Sequence, residues 1–519
     1  MNKKFTLFTL MLLAFVIANA TEKPEVVFTG TPWGTMGISG NGRYIVGTRQ
    51  YTEAYRFDIK EKRLFIAPTT GEYDDMCFAD VTDEGMIVGK SSEMMPAIFN
   101  TQLMEWEHLP VPHTGITEGY ANEVTPDGKT IVGYVMGSID PTKPYTVFPC
   151  IWRLQADGTY EYEDLPNPDT DFFGTKTQFI STRTISEDGN TIVGVMVEKK
   201  GRFYQPIIYR YNGSEWTYEM PFVELTFKGG PAEYAEWMAQ EPNMYDYIIA
   251  QPGDPEYMDQ VEEYQAIYTK WQYDFWTAFR TGFEVTSVPI ITSTNGKWLA
   301  PMATEATWGW KEGDLTIRQE SSKSYPMLYN LETGEITKFE DIKSGFYTYG
   351  VSNDGDMISS DGNDFYIKPA GATQKIELCD WLKNEYGFDL RAELPSNTEY
   401  IDCNTIAPDM SVIVGCYRSV TPEGELDSKE VFCITFPNFM SSIMETLNTP
   451  VNDSITLAGD ELRFGAEASG ICIYDMAGKM VLNHEDNVAN LNVSNLGKGV
   501  YVVKAQIGGT TATGKIYKY

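Results

Sequence analysis

A short motif that recurs seven times between residues 37 and 415 constrains this chain more than any other feature. The strong copies are Gly37-Ile-Ser-Gly-Asn-Gly-Arg-Tyr-Ile-Val-Gly47, Val81-Thr-Asp-Glu-Gly-Met-Ile-Val-Gly89, Val124-Thr-Pro-Asp-Gly-Lys-Thr-Ile-Val-Gly133 and Ile185-Ser-Glu-Asp-Gly-Asn-Thr-Ile-Val-Gly194. Looser copies open at Ile291, Val351 and Ile406, with Met410 where the others have glycine. The shared pattern is an apolar residue, Ser or Thr, one or two variable positions, Asp/Asn-Gly, then Ile-Val-Gly. Asx-Gly between apolar runs is a strong hairpin signal, because Gly and Asn tolerate positive φ. The upstream hydroxyl can cap the turn by accepting backbone N–H groups. Apolar residues at consecutive positions in Ile-Val describe a strand buried on both faces. The glycine after it permits a bulge or a close backbone approach.

A second half-motif follows each turn. An apolar strand carrying an aromatic, a polar turn and another short strand recur as Ala54–Phe57 with Arg63–Ile66, and as Cys150–Trp152 with Tyr160–Tyr162. Each unit is thus four short strands without helical periodicity, the pattern of a propeller blade. The interval from Gly189 to Gly296 is about two and a half times the shortest intervals and so holds an insertion. The seventh copy shows only three strands, ending near Thr435, and Glu25-Val-Val-Phe28 is available as its fourth. Seven blades follow, with six or eight the result if a looser copy is miscounted. The motif resembles the extracellular HAF-type repeat and, less closely, the Ser-Pro-Asp-Gly repeat of TolB-like propellers. Both resemblances imply a propeller, and neither implies an activity.

Residues 229–283 break the strand rhythm. Asp254-Pro255-Glu256 has helix-start chemistry, and Tyr257, Val261, Tyr264, Tyr268, Trp271, Phe275 and Ala278 form one apolar stripe running to about Arg280. A shorter helix is expected over Pro231 to Gln240. The insertion reads either as an aromatic lid over one propeller face or as a helical hairpin packed on the blades.

The two ends carry an address. Asn2-Lys3-Lys4, an apolar run from Phe5 to Ala18 and Ala18-Asn19-Ala20 make the three-part layout of a secretory signal peptide over 1–20. The apolar run is too short to span a bilayer, which needs about 20 residues, so no membrane span is expected in the mature chain. After a linker over 438–450, residues 451–519 alternate as short strands and predict a small β-sandwich. Ile473-Tyr-Asp-Met-Ala-Gly-Lys-Met-Val481, Leu496-Gly-Lys-Gly-Val-Tyr-Val-Val503 and Lys515-Ile-Tyr-Lys518 resemble the C-terminal sorting domain of the type IX secretion system of Bacteroidetes. Thr449-Pro-Val-Asn452 stands where that family usually has Pro-Asn-Pro. The resemblance implies the type IX secretion machinery as a partner and an extracellular or outer-membrane surface location, with the periplasm as the alternative.

The overall expectation is an all-β chain: a signal peptide, a seven-bladed β-propeller over 21–437 with a helical insertion, and a C-terminal β-sandwich. Chemistry is harder to find. With 40 Lys+Arg against 73 Asp+Glu the net charge is −33, which repels nucleic acid. The histidines are His108, His113 and His484, with His108 and His113 in an inter-blade connection and His484 in the sorting-like segment, so a His-based triad or multi-His metal site is not expected. Gly37-Ile-Ser-Gly-Asn41 lacks the final glycine of a nucleophile elbow. Seven cysteines contain no CxxC pair and read as buried thiols, with one disulfide among Cys403, Cys416 and Cys433 the alternative. No cofactor or metal is expected. Adjacent acids at Asp74-Asp75, Glu262-Glu263 and Glu340-Asp341 are weak glycosidase candidates, since chance pairs abound among 73 acids. Trp308-Gly-Trp310 is the candidate ligand-binding pair, two indoles on a Gly-linked loop able to stack on a sugar, with packing against the insertion as the plainer account. These features favour a non-enzymatic binding or adhesion module for a glycan or extracellular protein. The alternative is a carbohydrate-active hydrolase or lyase using carboxylates on one propeller face.

Overall fold

The computed structural model describes residues 23–436 and 455–518 apart from 32–33, 50–52, 69–76, 102, 139–145, 173, 175–178, 198–203, 287–290, 340–346, 361–364, 373, 459, 476–479, 485, 498 and 508–509. The expected signal peptide, the linker and the acid pairs Asp74-Asp75 and Glu340-Asp341 lie outside the described residues. The chain divides into two compact units, Glu25–Thr435 and a C-terminal unit beginning at Phe436.

The first unit is propeller-like. Its strands pair almost entirely with sequence neighbours into antiparallel sheets of four or five strands. Seven such sheets occur among the described residues, six of them opening at Thr35, Cys77, Ile116, Phe179, Phe283 and Tyr347. The seventh joins Thr398–Ile406, Val412–Val420 and Leu426–Thr435 to the N-terminal strand Glu25–Phe28, with Glu25 opposite Thr435 and Phe28 opposite Phe432. The orphan N-terminal strand thus supplies the missing fourth strand, as its sequence position suggested.

Apolar packing runs from sheet to sheet in chain order. Val46 and Ala54 meet Phe78 and Ile87, Val88 meets Ala121 and Ile131, and Val132 meets Ile180 and Ile192. Val193 and Ile208 then pack with Leu299 and Ala303, and Met302 with Met357. From the seventh sheet the path returns to the first, where Gly42 lies against Ala407, Ser411 and Val412. Ile45, Val46, Ile131, Val132, Ile413 and Val414 are all 1% exposed or less, as two-sided burial of the Ile-Val strand requires.

The turns have the geometry their residues dictate. Gly42, Gly85, Gly128, Gly189, Gly296 and Gly355 all have positive φ, and Met410 occupies the seventh place at φ 60°. The upstream hydroxyl is the cap: Ser39 Oγ accepts the Tyr44 N–H at 3.0 Å, Ser186 Oγ that of Thr191 at 2.9 Å and Ser293 Oγ that of Trp298 at 2.9 Å.

The insertion holds helices Pro231–Ala239 and Tyr257–Phe279. The long helix starts two residues after Pro255, because Asp254 closes a preceding turn by accepting the Gln251 N–H on its carboxylate. Rings stack along its buried side from Tyr264 through Tyr268, Trp271 and Phe275 to Phe279. Ala278 is exposed, so the stripe ends on Phe279 instead. Helix also occurs inside the repeat region, contrary to the reading of its strand rhythm. Leu378–Tyr386 begins with the Glu377 side chain accepting the Asp380 N–H and ends at Gly387, φ 61°.

In the C-terminal unit six strands form one connected sheet. The two strands expected at Leu462–Phe464 and Gly470–Tyr474 are one continuous strand, Glu461–Asp475, to which Ile455–Ala458, Met480–His484, Val488–Asn492 and Gly499–Ile507 all pair. Leu462, Ala468, Ile471, Ile473, Val493 and Val503 are fully buried in its core.

Candidate functional site

The candidate site grows from an irregularity that recurs in nearly every sheet, opposite a residue that is glycine in five of the six cases. In six of the seven sheets the register between first and second strands slips by one residue, opposite the Ile-Val-Gly step. The bulged residues are Met36, Ala79, Asn122, Arg183, Tyr349 and Asn404. In three of these sheets sterics favour glycine: a Cβ on Gly47, Gly89 or Gly133 would collide with the carbonyl oxygen of Gly34, Cys77 or Tyr120, whereas the sixth sheet forms the same bulge opposite Ser359. A bulge bends its strand and re-aims one side chain.

Those side chains converge. Met36, Ala79, Asn122, Arg183 and Tyr349 line a cavity of about 510 Å³, together with Thr292 and Thr294 from the fifth sheet and Thr405 from the seventh. Every sheet of the first unit therefore contributes to one central space, through the first strand of the sheet or, in the fifth, through residues 291–294.

One sector of the wall is chemically distinct. Asp80 and Glu123 each follow a bulged residue. Asp80 Oδ2 accepts the Val124 N–H at 3.0 Å, and Glu123 accepts the Ile185 N–H. Each carboxyl thus staples its own sheet to the next. Burial pushes the Asp80 carboxyl up to about 7 against the lowering effect of the N–H donors. Burial first, and then the Asp80 charge, hold the Glu123 carboxyl well above the ordinary carboxylate range. The rings of Tyr120 and Tyr134 stack beside them, 6.4 Å apart and 15° from parallel. Burial raises both phenols, while the nearby Arg183 charge pulls them down.

At the turn end of the cavity the motif links neighbouring sheets. Asp83 Oδ1 accepts the Asn41 N–H at 2.7 Å, Asn353 Oδ1 accepts that of Asn295 at 2.8 Å, and Pro408 O accepts that of Asn353 at 2.8 Å. Asp83 is pushed up to about 6, by burial first and then by Glu84, Asp409 and Glu187. This mouth is acidic.

The tryptophan pair lies elsewhere, on the insertion. Trp308 meets Trp276 edge-on at 4.7 Å, with the Arg280 guanidinium 5.0 Å from the Trp276 ring and 5.9 Å from that of Trp308. Trp310 sits 6.1 Å from Tyr273 and donates its indole N–H to Asp314 O at 2.9 Å. Glu262 and Glu263 are exposed on the long helix. His113 is not a free loop residue: it stacks on Phe148 at 4.6 Å and pairs with Asp164 at 3.0 Å. His108 Nε2 lies 3.1 Å from Ser91 Oγ. All seven cysteines are free thiols, Cys403, Cys416 and Cys433 being buried on three adjacent strands. Among the described residues no group of three His, Cys, Asp or Glu side chains comes together as a metal site, and no helix is long and apolar enough to cross a membrane.

The sequence reading missed the central residues because bulge positions vary freely in identity. A positional signal does exist. Each bulged residue lies two places before the apolar residue that opens the motif, as Asn122 does before Val124 and Arg183 before Ile185.

Residues 449–518 match the family described as the secretion system C-terminal sorting domain. This domain implies the type IX secretion machinery as a partner and export to the cell surface or beyond. No curated protein matches the chain. Among solved structures, the chain is similar to an oligogalacturonate lyase in complex with manganese (12% identity, 80% of this chain and 92% of that one, TM-score 0.40). An oligogalacturonate lyase from Vibrio parahaemolyticus is also similar (10%, 79% and 91%, 0.41). So is the β-propeller domain of the Trilobed protease from Pyrococcus furiosus (9%, 78% and 95%, 0.35). The chain carries an export-sorting domain behind a propeller-like unit.

Proposed function

We propose that this is a secreted or surface-displayed seven-bladed propeller acting as a non-enzymatic binding module for a glycan, with the ligand in the central cavity. On this reading residues 1–20 are a removed signal peptide and 451–519 a β-sandwich that directs type IX export. The repeats are of the HAF type. The observation that carries the reading is the convergence of bulged side chains on one cavity of about 510 Å³. That volume lies within the range of roughly 300–1,000 Å³ typical of small-ligand sites. The wall offers an amide, hydroxyls and tyrosine rings, which suit a saccharide. Trp308 and Trp310 are engaged by the insertion, which supports the cavity over that pair as the ligand site.

A second reading, a carbohydrate-active hydrolase or lyase, is favoured by one observation. Asp80 and Glu123 are electrostatically linked carboxyls on the same cavity wall, and a group held near 7 can serve as general acid or base.

The test is a glycan array probed with the mature chain from Thr21, with turnover assayed on every hit. Binding without products, weakened by Asn122→Ala and Tyr349→Ala, supports the binding module. Products that vanish in Asp80→Asn or Glu123→Gln support the enzyme.

A further inference from the structure

We propose that Arg183 anchors a carboxylate of the ligand, so that the cavity takes a sugar acid rather than a neutral sugar. This rests on the binding reading above and deepens it.

The chain has far more acids than bases, and its described arginines mostly find a carboxylate. Arg43 pairs with Asp58, Arg153 with Glu163 and Arg210 with Glu219. Arg280 pairs with Glu284, Arg318 with Asp314 and Arg463 with Glu461. Arg183 has no carboxylate partner among the described residues, and it is the one Lys or Arg on the cavity wall.

Its position is built. The preceding Thr182 is fully buried, donates its hydroxyl to Gly133 O and accepts the Asn122 side-chain N–H on its own carbonyl. The Ile185 N–H two residues later is held by Glu123. Backbone on both sides of Arg183 is thus tied to the third sheet, while the bulge leaves the side chain exposed beside the Tyr120 and Tyr134 phenols. A planar guanidinium matches a carboxylate through two parallel hydrogen bonds. Stacked tyrosines, the Asn122 amide and the Thr184, Thr292 and Thr405 hydroxyls supply ring faces and hydrogen bonds for the rest of a saccharide.

The field also gives a direction. Asp83, Glu187 and Asp409 gather at the turn end and repel an anion. Tyr120 lies on its strand on the far side of the bulge from the turn, so the acid end of the ligand reaches Arg183 from the opposite mouth.

The experiment is calorimetric titration of the mature chain with trisaccharides of glucuronic or galacturonic acid and of the matching neutral sugars. Wild type, Arg183→Gln, Arg183→Lys and Asn122→Ala are compared, with thermal melts confirming the fold. The expected result is acidic trisaccharides bound about 10- to 100-fold more tightly than neutral ones. Arg183→Gln removes that preference, Arg183→Lys keeps part of it, and Asn122→Ala weakens both ligands. If Arg183→Gln does not fold, salt replaces it: raising ionic strength from about 0.05 to 0.5 M must weaken only the acidic ligand in wild type. Neutral sugars binding as well as acidic ones, with Asn122→Ala still weakening them, overturns the anchor and leaves the cavity reading standing. Absence of any saccharide binding overturns both. Preferential binding of acidic peptides overturns the sugar-acid assignment.

Discussion

Asp80 Oδ2 accepts the Val124 N–H at 3.0 Å, so a carboxyl of one sheet closes onto the first strand of the next. Because burial holds this carboxyl near 7, it costs stability once ionised. The folded state binds the proton more tightly than the unfolded chain, whose ordinary aspartate titrates near 4. The favourable contribution is complete below about pH 4 and is lost as pH rises through about 7. The size is roughly 3–4 kcal/mol at most. Thermal melts from pH 4 to 8 should show wild type losing stability over that interval. Asp80→Asn keeps an acceptor for Val124 and should flatten the curve and melt higher at pH 8. An unchanged slope in the variant would remove Asp80 as the cause.

Gly133 tests the origin of the bulges. A methyl group there would strike Tyr120 O and the Trp152 ring, both fixed by sheet pairing. Gly133→Ala should cost about 1–3 kcal/mol in denaturant unfolding. It should also shift the Asn122 side chain and so weaken ligand binding beyond the loss of stability. Gly158, with nothing within 4 Å of its would-be Cβ but a φ of 87°, is the control: alanine there meets backbone strain alone and should leave binding intact.

How far the sequence reached depends on whether a position is repeated. The turn anchors, their hydroxyl caps and the closing strand Glu25–Phe28 were all legible, because each follows from residue chemistry at a fixed spacing. The long helix was legible from its aromatic stripe, although Asp254 serves the turn before it. Helix Leu378–Tyr386 was not, since Leu378 and Leu382 are too few to separate from a buried strand, and only Gly387 marks its end. The cavity was illegible for a different reason. Met36, Ala79, Asn122, Arg183 and Tyr349 share a place on its wall but no chemistry. The recurring shape of the repeat thus holds residues of varied chemistry around one cavity.

Met410 carries the left-handed turn conformation that glycine adopts in the other six copies. Such a φ costs a residue with a Cβ about 1–2 kcal/mol, offset in part by the greater unfolded-state freedom of glycine. Met410→Gly should therefore raise stability by about 0.5–1 kcal/mol in denaturant titration, without affecting ligand binding. A loss of stability would mean that the half-buried Met410 side chain contributes more by packing than its backbone costs.

The N-terminal strand closes the seventh sheet: Val27 is buried, and Glu25 to Phe28 pair along the Phe432–Thr435 segment. Without it that strand would present unpaired N–H and C=O groups along a hydrophobic edge, a template for pairing with another chain. Deleting residues 21–28 should lower the melting temperature and shift the protein toward oligomers in size-exclusion chromatography. Val27→Asp, which keeps the backbone but places a charge in the packed face, should destabilise without opening the edge. A truncated chain that stays monomeric and melts with wild type would show that three strands suffice to close the seventh sheet. If the strand is essential, the chain can complete its fold only once Leu426–Thr435 has been made. The sorting domain, matched from residue 449 onward, lies C-terminal to that segment, so whatever carries the chain outward receives its signal after the last strand that closure requires.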